Sequence, residues 1–375
     1  MGADLFSIPT PRVVIDRTRL HANIDAMQAR ATRAGVRLRP HAKTHKSPAI
    51  ARKQIDAGAV GICCAKLGEA EVFADAGIAD IRLPYPVHPS NAARVQALQD
   101  RIRISIIVDS LEVAREWAAI MRRSGRALEV LVKVDVGFHR CGVNPDTPEV
   151  VDAIREIAGL DGLRFRGLLS HAGHAYHARS ERELQDIAAR EAAILHQLAV
   201  QLRDIGIAVE ETSVGSTPTA RFIEEQHGIT EMRPGNYVFF DRTQVGLGAA
   251  AVGDCALSVI STVVSRPAPD RIVLDAGSKT LTSDGVRGFS PASGHGMAFP
   301  GLDATAPDGS IAIERLSEEH AVASVPADHP LRIGDRVRIV PNHSCVVTNL
   351  ADELLFVDGL SIVDRVPVAA RGRNS

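Results

Sequence analysis

Short apolar runs recur through the first two thirds of the chain, at 36–39, 60–65, 80–84, 102–108, 128–136, 163–170, 207–213 and 229–232. Between them lie stretches whose apolar residues repeat with helical spacing: 47–57, 67–76, 90–100, 110–124, 147–159, 180–205 and a shorter one at 217–226. Brief apolar runs bounded by turn residues read as strands, and the 3.6-residue period reads as amphipathic helix. Strand and helix in strict alternation predict parallel strands covered by helices. Eight such units in about 200 residues, divided by turns such as Ala57-Gly58 and Ala76-Gly77, predict an α/β fold with a (β/α)8 barrel over residues 17–244. An open doubly wound sheet is the alternative, but no Gly-x-Gly-x-x-Gly follows the first strand.

After residue 245 the rhythm changes. Short β-like runs at 255–264, 271–275, 311–316, 336–340 and 354–357 are separated by turn-rich stretches such as Pro267-Ala268-Pro269-Asp270 and Ala306-Pro307-Asp308-Gly309. They predict a second, mainly antiparallel β-domain over 245–375. Residues 10–16 also read as a strand and precede the barrel rhythm, so residues 1–16 are assigned to that domain. The tail from Ala369 is small and polar, which predicts fraying.

Composition narrows the function classes. The chain has 375 residues, 45% hydrophobic and 23% charged, with a formal net charge of −2. That balance fits a soluble protein and gives no sign of a nucleic-acid or membrane surface. No apolar run approaches the ~18 residues of a spanning helix. The start, Met1-Gly2-Ala3-Asp4, has neither a basic n-region nor an apolar h-region, so a cytoplasmic location is expected. The five cysteines, at 63, 64, 141, 255 and 345, are odd in number and irregular in spacing, which argues against a disulfide framework.

Three stretches carry candidate chemistry. Arg39-Pro40-His41-Ala42-Lys43-Thr44-His45-Lys46 follows the first barrel strand, at the end where barrels collect chemistry, although such a stretch also fits a solvated basic loop. Ser213-Val214-Gly215-Ser216-Thr217-Pro218-Thr219 follows the seventh strand and combines glycine, hydroxyls and an oncoming helix terminus. That is the make-up of a phosphate cradle, or of a plain helix cap. His343-Ser344-Cys345, read as strand, puts both side chains on one face and could start an open metal site; core or loop residues are the alternative.

A barrel followed by a β-domain, with Arg-Pro-His-x-Lys-Thr-His-Lys after the first strand, resembles the D-threonine aldolase / D-serine dehydratase family of the alanine-racemase-like fold. The resemblance runs from Thr10-Pro11 to Ala370-Arg371-Gly372. It implies pyridoxal 5′-phosphate bound as a Schiff base to Lys43, with Arg39 and Lys46 supplying a cationic field. Lys133-Val134-Asp135-Val136-Gly137-Phe138-His139-Arg140 is similar to the racemase-type motif and implies Arg140 at the cofactor's phenolic oxygen. Ser170-His171-Ala172-Gly173 implies His171 against the pyridine ring. Gly215, Ser216 and Thr217, together with Gly235, Asn236 and Tyr237 of Arg233-Pro234-Gly235-Asn236-Tyr237, are implied at the phosphate, and Arg233 at the pyridine nitrogen.

His343 and Cys345 are implied as metal ligands, with His343 also able to assist catalysis; the thiolate suits zinc, while the aspartate typical of aldolases there would suit manganese or magnesium. The general run of the chain resembles the aldolases, and the site motifs resemble the dehydratases. The expected activity is a lyase on D-3-hydroxy-α-amino acids, leaning to retro-aldol cleavage, with β-elimination as the alternative. A racemase would need a tyrosine from the C-terminal domain, and the three tyrosines, at 85, 176 and 237, all precede it. A non-catalytic cofactor carrier would resemble the barrel alone. By analogy of fold the protein is expected to be a homodimer.

Overall fold

The structure, a computed structural model, describes residues 4–289 and 293–375. Residues 1–3, part of the start read for a leader, lie outside them. Each of the eight apolar runs overlaps a strand. After β1 (Arg12–Asp16) come β2 (Arg37–Leu38), β3 (Ile62–Cys63), β4 (Asp80–Pro86), β5 (Arg103–Val108), β6 (Leu128–Lys133), β7 (Leu163–Leu169), β8 (Glu211–Val214) and β9 (Glu231–Met232). β2 to β9 form one parallel sheet in the order β2-β9-β8-β7-β6-β5-β4-β3. The ring is completed by Val60 N to Leu38 O at 3.0 Å, Cys63 N to Pro40 O at 2.8 Å, and a bridge between His41 and Cys63. The fold is the barrel that the alternation predicts. The short helix expected at 217–226 is instead a 3-10 turn, Thr219–Glu225.

The helices are amphipathic in the expected register. Ser110 caps Leu111–Arg123 through Val113 N, and that helix buries Ala114, Trp117, Ala118 and Met121, spaced three and four apart. Ser180 caps the long helix Glu181–Asp204 in the same way.

The barrel axis is not filled with aliphatic residues throughout. Ile81 and Leu83 pack among the residues of the surrounding helices, so Arg82 between them faces the axis. There Arg82 reaches Glu231 and, at 2.7 Å, Glu211. Arg39 donates to Glu231 at 2.9 Å and to Asp80 at 2.5 Å. Burial pushes the Glu231 carboxyl up, but Arg82 and Arg39 outweigh it and hold the carboxyl well below the usual carboxylate range. A separate small cluster of Ile107, Leu131 and Leu169 also lies in the barrel.

The second sheet contains β10 (Leu257–Ala268), β11 (Arg271–Leu274), β12 (Met297–Phe299), β13 (Ala312–Leu316), β14 (Ala321–Ser324), β15 (Arg336–Val340), β16 (Glu353–Asp358) and β17 (Ser361–Pro367). β1 joins it, antiparallel to β10 and parallel to β16. Three of these strands, β12, β14 and β17, are not evident in the sequence pattern. Among the described residues no helix is long and apolar enough to cross a membrane.

The tail does not fray. Ala370 is fully buried and its N–H donates to Lys46 O at 3.0 Å. Gly68 N donates to Ser375 O at 2.8 Å, and Lys46 Nζ donates to Asn374 Oδ1 at 2.9 Å. Gly68 sits in the first turn of the helix Leu67–Asp75, whose free N–H groups need acceptors, and the tail carbonyl supplies one. A β-carbon on Gly68 would fall 2.9 Å from that carbonyl.

Candidate active site

The carboxyl ends of the barrel strands open into a cleft of about 220 Å³. Its barrel wall is built from His41, Lys43 and Thr44 after β2, Phe138 and Arg140 after β6, and Leu169 and His171 at the end of β7. Gly215, Ser216 and Thr217 after β8 and Arg233, Gly235 and Asn236 after β9 complete it. The facing wall carries Asp241, Thr243, Gln244, Asp284, Arg287, His343 and Cys345. Every expected site residue except Tyr237 therefore lines one cavity.

Lys43 stands on a single 3-10 turn, Ala42–Thr44, and is exposed into the cleft. Two neutral rings flank it. Burial, then the charges of Lys43 and Arg233, push the His41 imidazole well below its ordinary value. Burial, then Lys133 and Lys43, do the same to His171. His171 Nδ1 lies 2.7 Å from Gly215 O, which can only accept, so Nδ1 carries the proton. Arg39 and Lys46 do not supply the expected cationic field. Arg39 is neutralised in the barrel interior by Glu231 and Asp80, and Lys46 is buried against Glu69 at 3.2 Å. Arg233 does line the cleft, with Arg140 and Arg287, and is held by Ser213 Oγ and by the carbonyl of Ser170.

The two glycine turns lie where a side chain would collide with neighbouring site residues. At Gly215 a β-carbon would lie 2.9 Å from the Arg233 guanidinium, and at Gly235 it would lie 2.9 Å from Thr44 Oγ1. Thr217 Oγ1 and Asn236 Oδ1 are buried without a hydrogen-bond partner, although both residues line the cleft. A buried, unpaired hydroxyl beside side-chain-free backbone at the ends of β8 and β9 fits a phosphate group. Tyr237 does not share in this. Its side chain is fully buried outside the cleft, and its hydroxyl accepts from Gln54 Nε2 at 2.9 Å.

His343 and Cys345 both face the cleft, but not from a strand. His343 is the extended residue that precedes the helix Ser344–Leu350, and Cys345 is the second residue of that helix. The chain turns between them, which brings the two side chains together where strand periodicity would otherwise have done so. His343 Nδ1 is 2.7 Å from Asp284 Oδ2. Cys345 Sγ is 3.3 Å from Thr44 Oγ1, which joins the two walls. Burial raises the Cys345 thiol, but His343 beside it outweighs burial and leaves the thiol below its ordinary value.

Asp241 anchors this corner. It accepts from Asn236 Nδ2 at 2.6 Å, from Ser344 N at 2.9 Å and from Gln244 N at 3.0 Å. Among the described residues no group of three or more His, Cys, Asp or Glu is placed to hold a metal. The pair therefore fits an ion only as an open site, with the remaining positions left to water or substrate.

Asp241, Gln244, Asp284, Arg287 and Tyr176 were not singled out from the sequence. They lie in stretches without periodicity, and no motif marks them. His174 faces a different depression, beside Asp135, His139 and Glu183, and His45 is buried against Gln54.

Comparison with known proteins identifies the family. Residues 15–243 match the family profile "Alanine racemase, N-terminal domain", and residues 256–357 match a serine dehydratase domain. D-threo-3-hydroxyaspartate dehydratase of Delftia sp. (strain HT23) is 38% identical, over 92% of this chain and 93% of that protein. D-threonine aldolase of Arthrobacter sp. is 36% identical, over 99% and 95%. The solved metal-free form of a D-threo-3-hydroxyaspartate dehydratase variant superposes with a TM-score of 0.92 at 34% identity, covering 97% of this chain and 98% of that one. The chain belongs to the alanine-racemase-like family of pyridoxal-phosphate enzymes that contains the D-threonine aldolases and D-serine dehydratases.

Proposed function

We propose that the protein is a pyridoxal-phosphate- and divalent-metal-dependent lyase of D-3-hydroxy-α-amino acids, and that it removes water to give a keto acid and ammonia. In this reading residues 17–244 hold the cofactor, while residues 1–16 and 245–375 bring the metal. Thr217 and the backbone around Gly215 and Gly235 hold the phosphate, Arg233 faces the ring nitrogen, Arg140 the phenolic oxygen, and His171 the ring. When bound, the cofactor supplies an electron sink for the carbon that loses its proton, and the metal supplies a Lewis acid for the hydroxyl.

Lys43 holds the cofactor and takes the Cα proton, which requires the amine in its neutral form. His41 and His171, both neutral, leave that proton on Lys43 rather than compete for it. Cys345 and His343 hold the ion, and the thiolate favours zinc over manganese or magnesium.

The observation that carries elimination over cleavage is the 2.7 Å contact of His343 Nδ1 with Asp284. A carboxylate on one imidazole nitrogen is the usual support of a metal-ligating histidine, and it leaves only Nε2 for the ion. With Asp284 on one nitrogen and the ion on the other, His343 itself has no nitrogen free to take the hydroxyl proton, a step for which retro-aldol cleavage needs a base. His343 is thus read as a ligand and not as a base. Cleavage to glycine and an aldehyde is the second reading, favoured by the 36% identity to the Arthrobacter aldolase.

Incubation of the metal-loaded holoprotein with D-serine and with D-threonine tests this. Pyruvate and 2-oxobutanoate, each matched by ammonia, are expected. Glycine and acetaldehyde from D-threonine would replace elimination by cleavage. A second expectation concerns the ion itself. Cys345→Ala leaves a single imidazole and lowers metal affinity by at least ~10²-fold. Elemental analysis after dialysis checks it, and an undiminished metal content would remove Cys345 from the ligand set.

A further inference from the structure

Three groups that line the cleft, Gln244 and Arg287 on the facing wall and Tyr176 on the turn after β7, take no part in holding the cofactor or the ion. Gln244 is fully buried and lines the cleft; neither its Nε2 nor its Oε1 has a partner at full hydrogen-bond geometry, and the Tyr176 hydroxyl is near enough to engage one end of the amide and leave the other for a ligand. A buried amide left short of partners is destabilising unless something in the cleft satisfies it. Arg287 lines the mouth of the same cleft and forms no ion pair with any described residue. The carboxylate nearest in sequence, Asp284, is committed to His343.

The segment that carries Arg287 is pinned against the helix Arg242–Gly246. Arg287 N donates to Thr243 Oγ1 at 3.4 Å, and Phe289 N to Gly246 O at 2.9 Å. Arg287 and Gln244 are thereby kept on one wall. Tyr176 approaches from the turn Gly173–His177, close enough to Gln244 and Arg287 for both to act on its hydroxyl.

We infer that Tyr176, Gln244 and Arg287 form a carboxylate subsite, and that the preferred substrate bears a second carboxylate on the carbon that carries the hydroxyl. The three side chains offer a guanidinium fork, an amide N–H and a phenolic O–H. This donor set suits a two-oxygen anion better than a methyl or a hydrogen. The subsite adjoins the His343–Asp284 pair, where the proposed function places the substrate hydroxyl, so a group on the same carbon reaches it. The inference rests on that lyase reading for the orientation of the substrate, and it narrows the substrate class to D-3-hydroxyaspartate-like acids.

The test compares wild type, Arg287→Met and Arg287→Lys as metal-loaded holoproteins, with D-3-hydroxyaspartate and D-threonine as substrates. Losing a hydrogen bond between charged groups corresponds to roughly 10–150-fold, so the ratio of kcat/KM for hydroxyaspartate over threonine should fall by that factor in Arg287→Met. The loss should lie in KM, with part of it restored in Arg287→Lys. Equal losses on both substrates would mean that Arg287 holds the α-carboxylate, and would overturn the inference. So would an unchanged ratio.

A binding arm separates this from the lyase reading. D-aspartate, which has both carboxylates and no hydroxyl, and D-alanine are titrated against the holoprotein and followed by the cofactor's visible spectrum. Wild type should bind D-aspartate more tightly, and Arg287→Met should bind the two alike. If no D-3-hydroxy amino acid is turned over, the lyase reading fails. The titration still decides the subsite, because no preference for D-aspartate in wild type would sink it.

Discussion

Lys43→Ala is expected to yield a folded protein that lacks the visible absorbance of bound pyridoxal phosphate and loses at least ~10³-fold in turnover. Lys43 is the lysine that projects into the cleft, from a single 3-10 turn at the end of β2. Two other lysines lie near enough to compete for the role. Lys46 is committed to Glu69 and to Asn374, so Lys46→Ala should keep its colour and lose stability instead. Lys133 ends β6 in full burial, where burial and Arg233 pull its ammonium well below the ordinary lysine value. A neutral buried lysine could form the same bond. Retained absorbance in Lys43→Ala together with loss in Lys133→Ala would therefore move the attachment point to another barrel strand. Circular dichroism of each variant guards against mistaking unfolding for cofactor loss.

Glu231→Gln is expected to destabilise the protein by about 3 kcal/mol, which for a chain of this length lowers the melting midpoint by about 4 °C. The carboxylate is fully buried between Arg39 and Arg82, and removing it leaves both guanidiniums short of a partner. The loss sits at the low end for a buried pair because Arg39 keeps Asp80 and Arg82 keeps Glu211. An exposed pair such as Arg101 with Asp75 should contribute under ~1 kcal/mol.

The pH dependence follows from the direction of the Glu231 shift. Its folded carboxyl titrates below its unfolded one, so its contribution is complete above about pH 4.5 and is lost as the pH falls through the acid range. Denaturant midpoints measured from neutral pH down into that range should fall less steeply in Glu231→Gln than in wild type. Parallel curves would contradict the role given to Glu231. The variant also disturbs the cleft, because Glu231 holds Ser213 Oγ, which in turn accepts from Arg233.

The barrel was legible because its signal is repeated. Eight apolar runs and their helices each state the same period, so small errors at any one of them do not alter the fold. The glycine turns at Gly215 and Gly235 were legible because glycine beside hydroxyl residues at a strand end is a recognisable local pattern, and the packing of Arg233 and Thr44 against them accounts for the missing side chains. The facing wall, apart from His343 and Cys345, was not. Gln244, Asp284 and Arg287 are ordinary polar residues in aperiodic stretches, and only the folding of two distant segments against each other gives them a common role.

His343-x-Cys345 has a spacing that fits a strand and also a helix preceded by one extended residue. Composition alone could not choose between them. The tail misled for a related reason. Small polar residues fray when nothing meets them, and what meets Ser375 is the open N-terminus of a helix some 300 residues earlier in the chain. The charges inside the barrel, among them Arg82 in β4, Glu211 in β8 and Glu231 in β9, were hidden within runs read as apolar.

The cleft has two walls of different origin, one from the barrel strands and one from segments beyond residue 240. A natural lineage can therefore change what it accepts without relearning how to hold its cofactor. Substitutions at Gln244, Asp284, Arg287 or Cys345 leave Lys43, Thr217 and the two glycine turns untouched. A randomised library confined to those four positions should be rich in coloured, folded members with differing substrate ranges. One spread over the barrel wall should instead be rich in colourless ones. Divergence of activity among relatives of similar overall likeness is what such a division of labour makes easy.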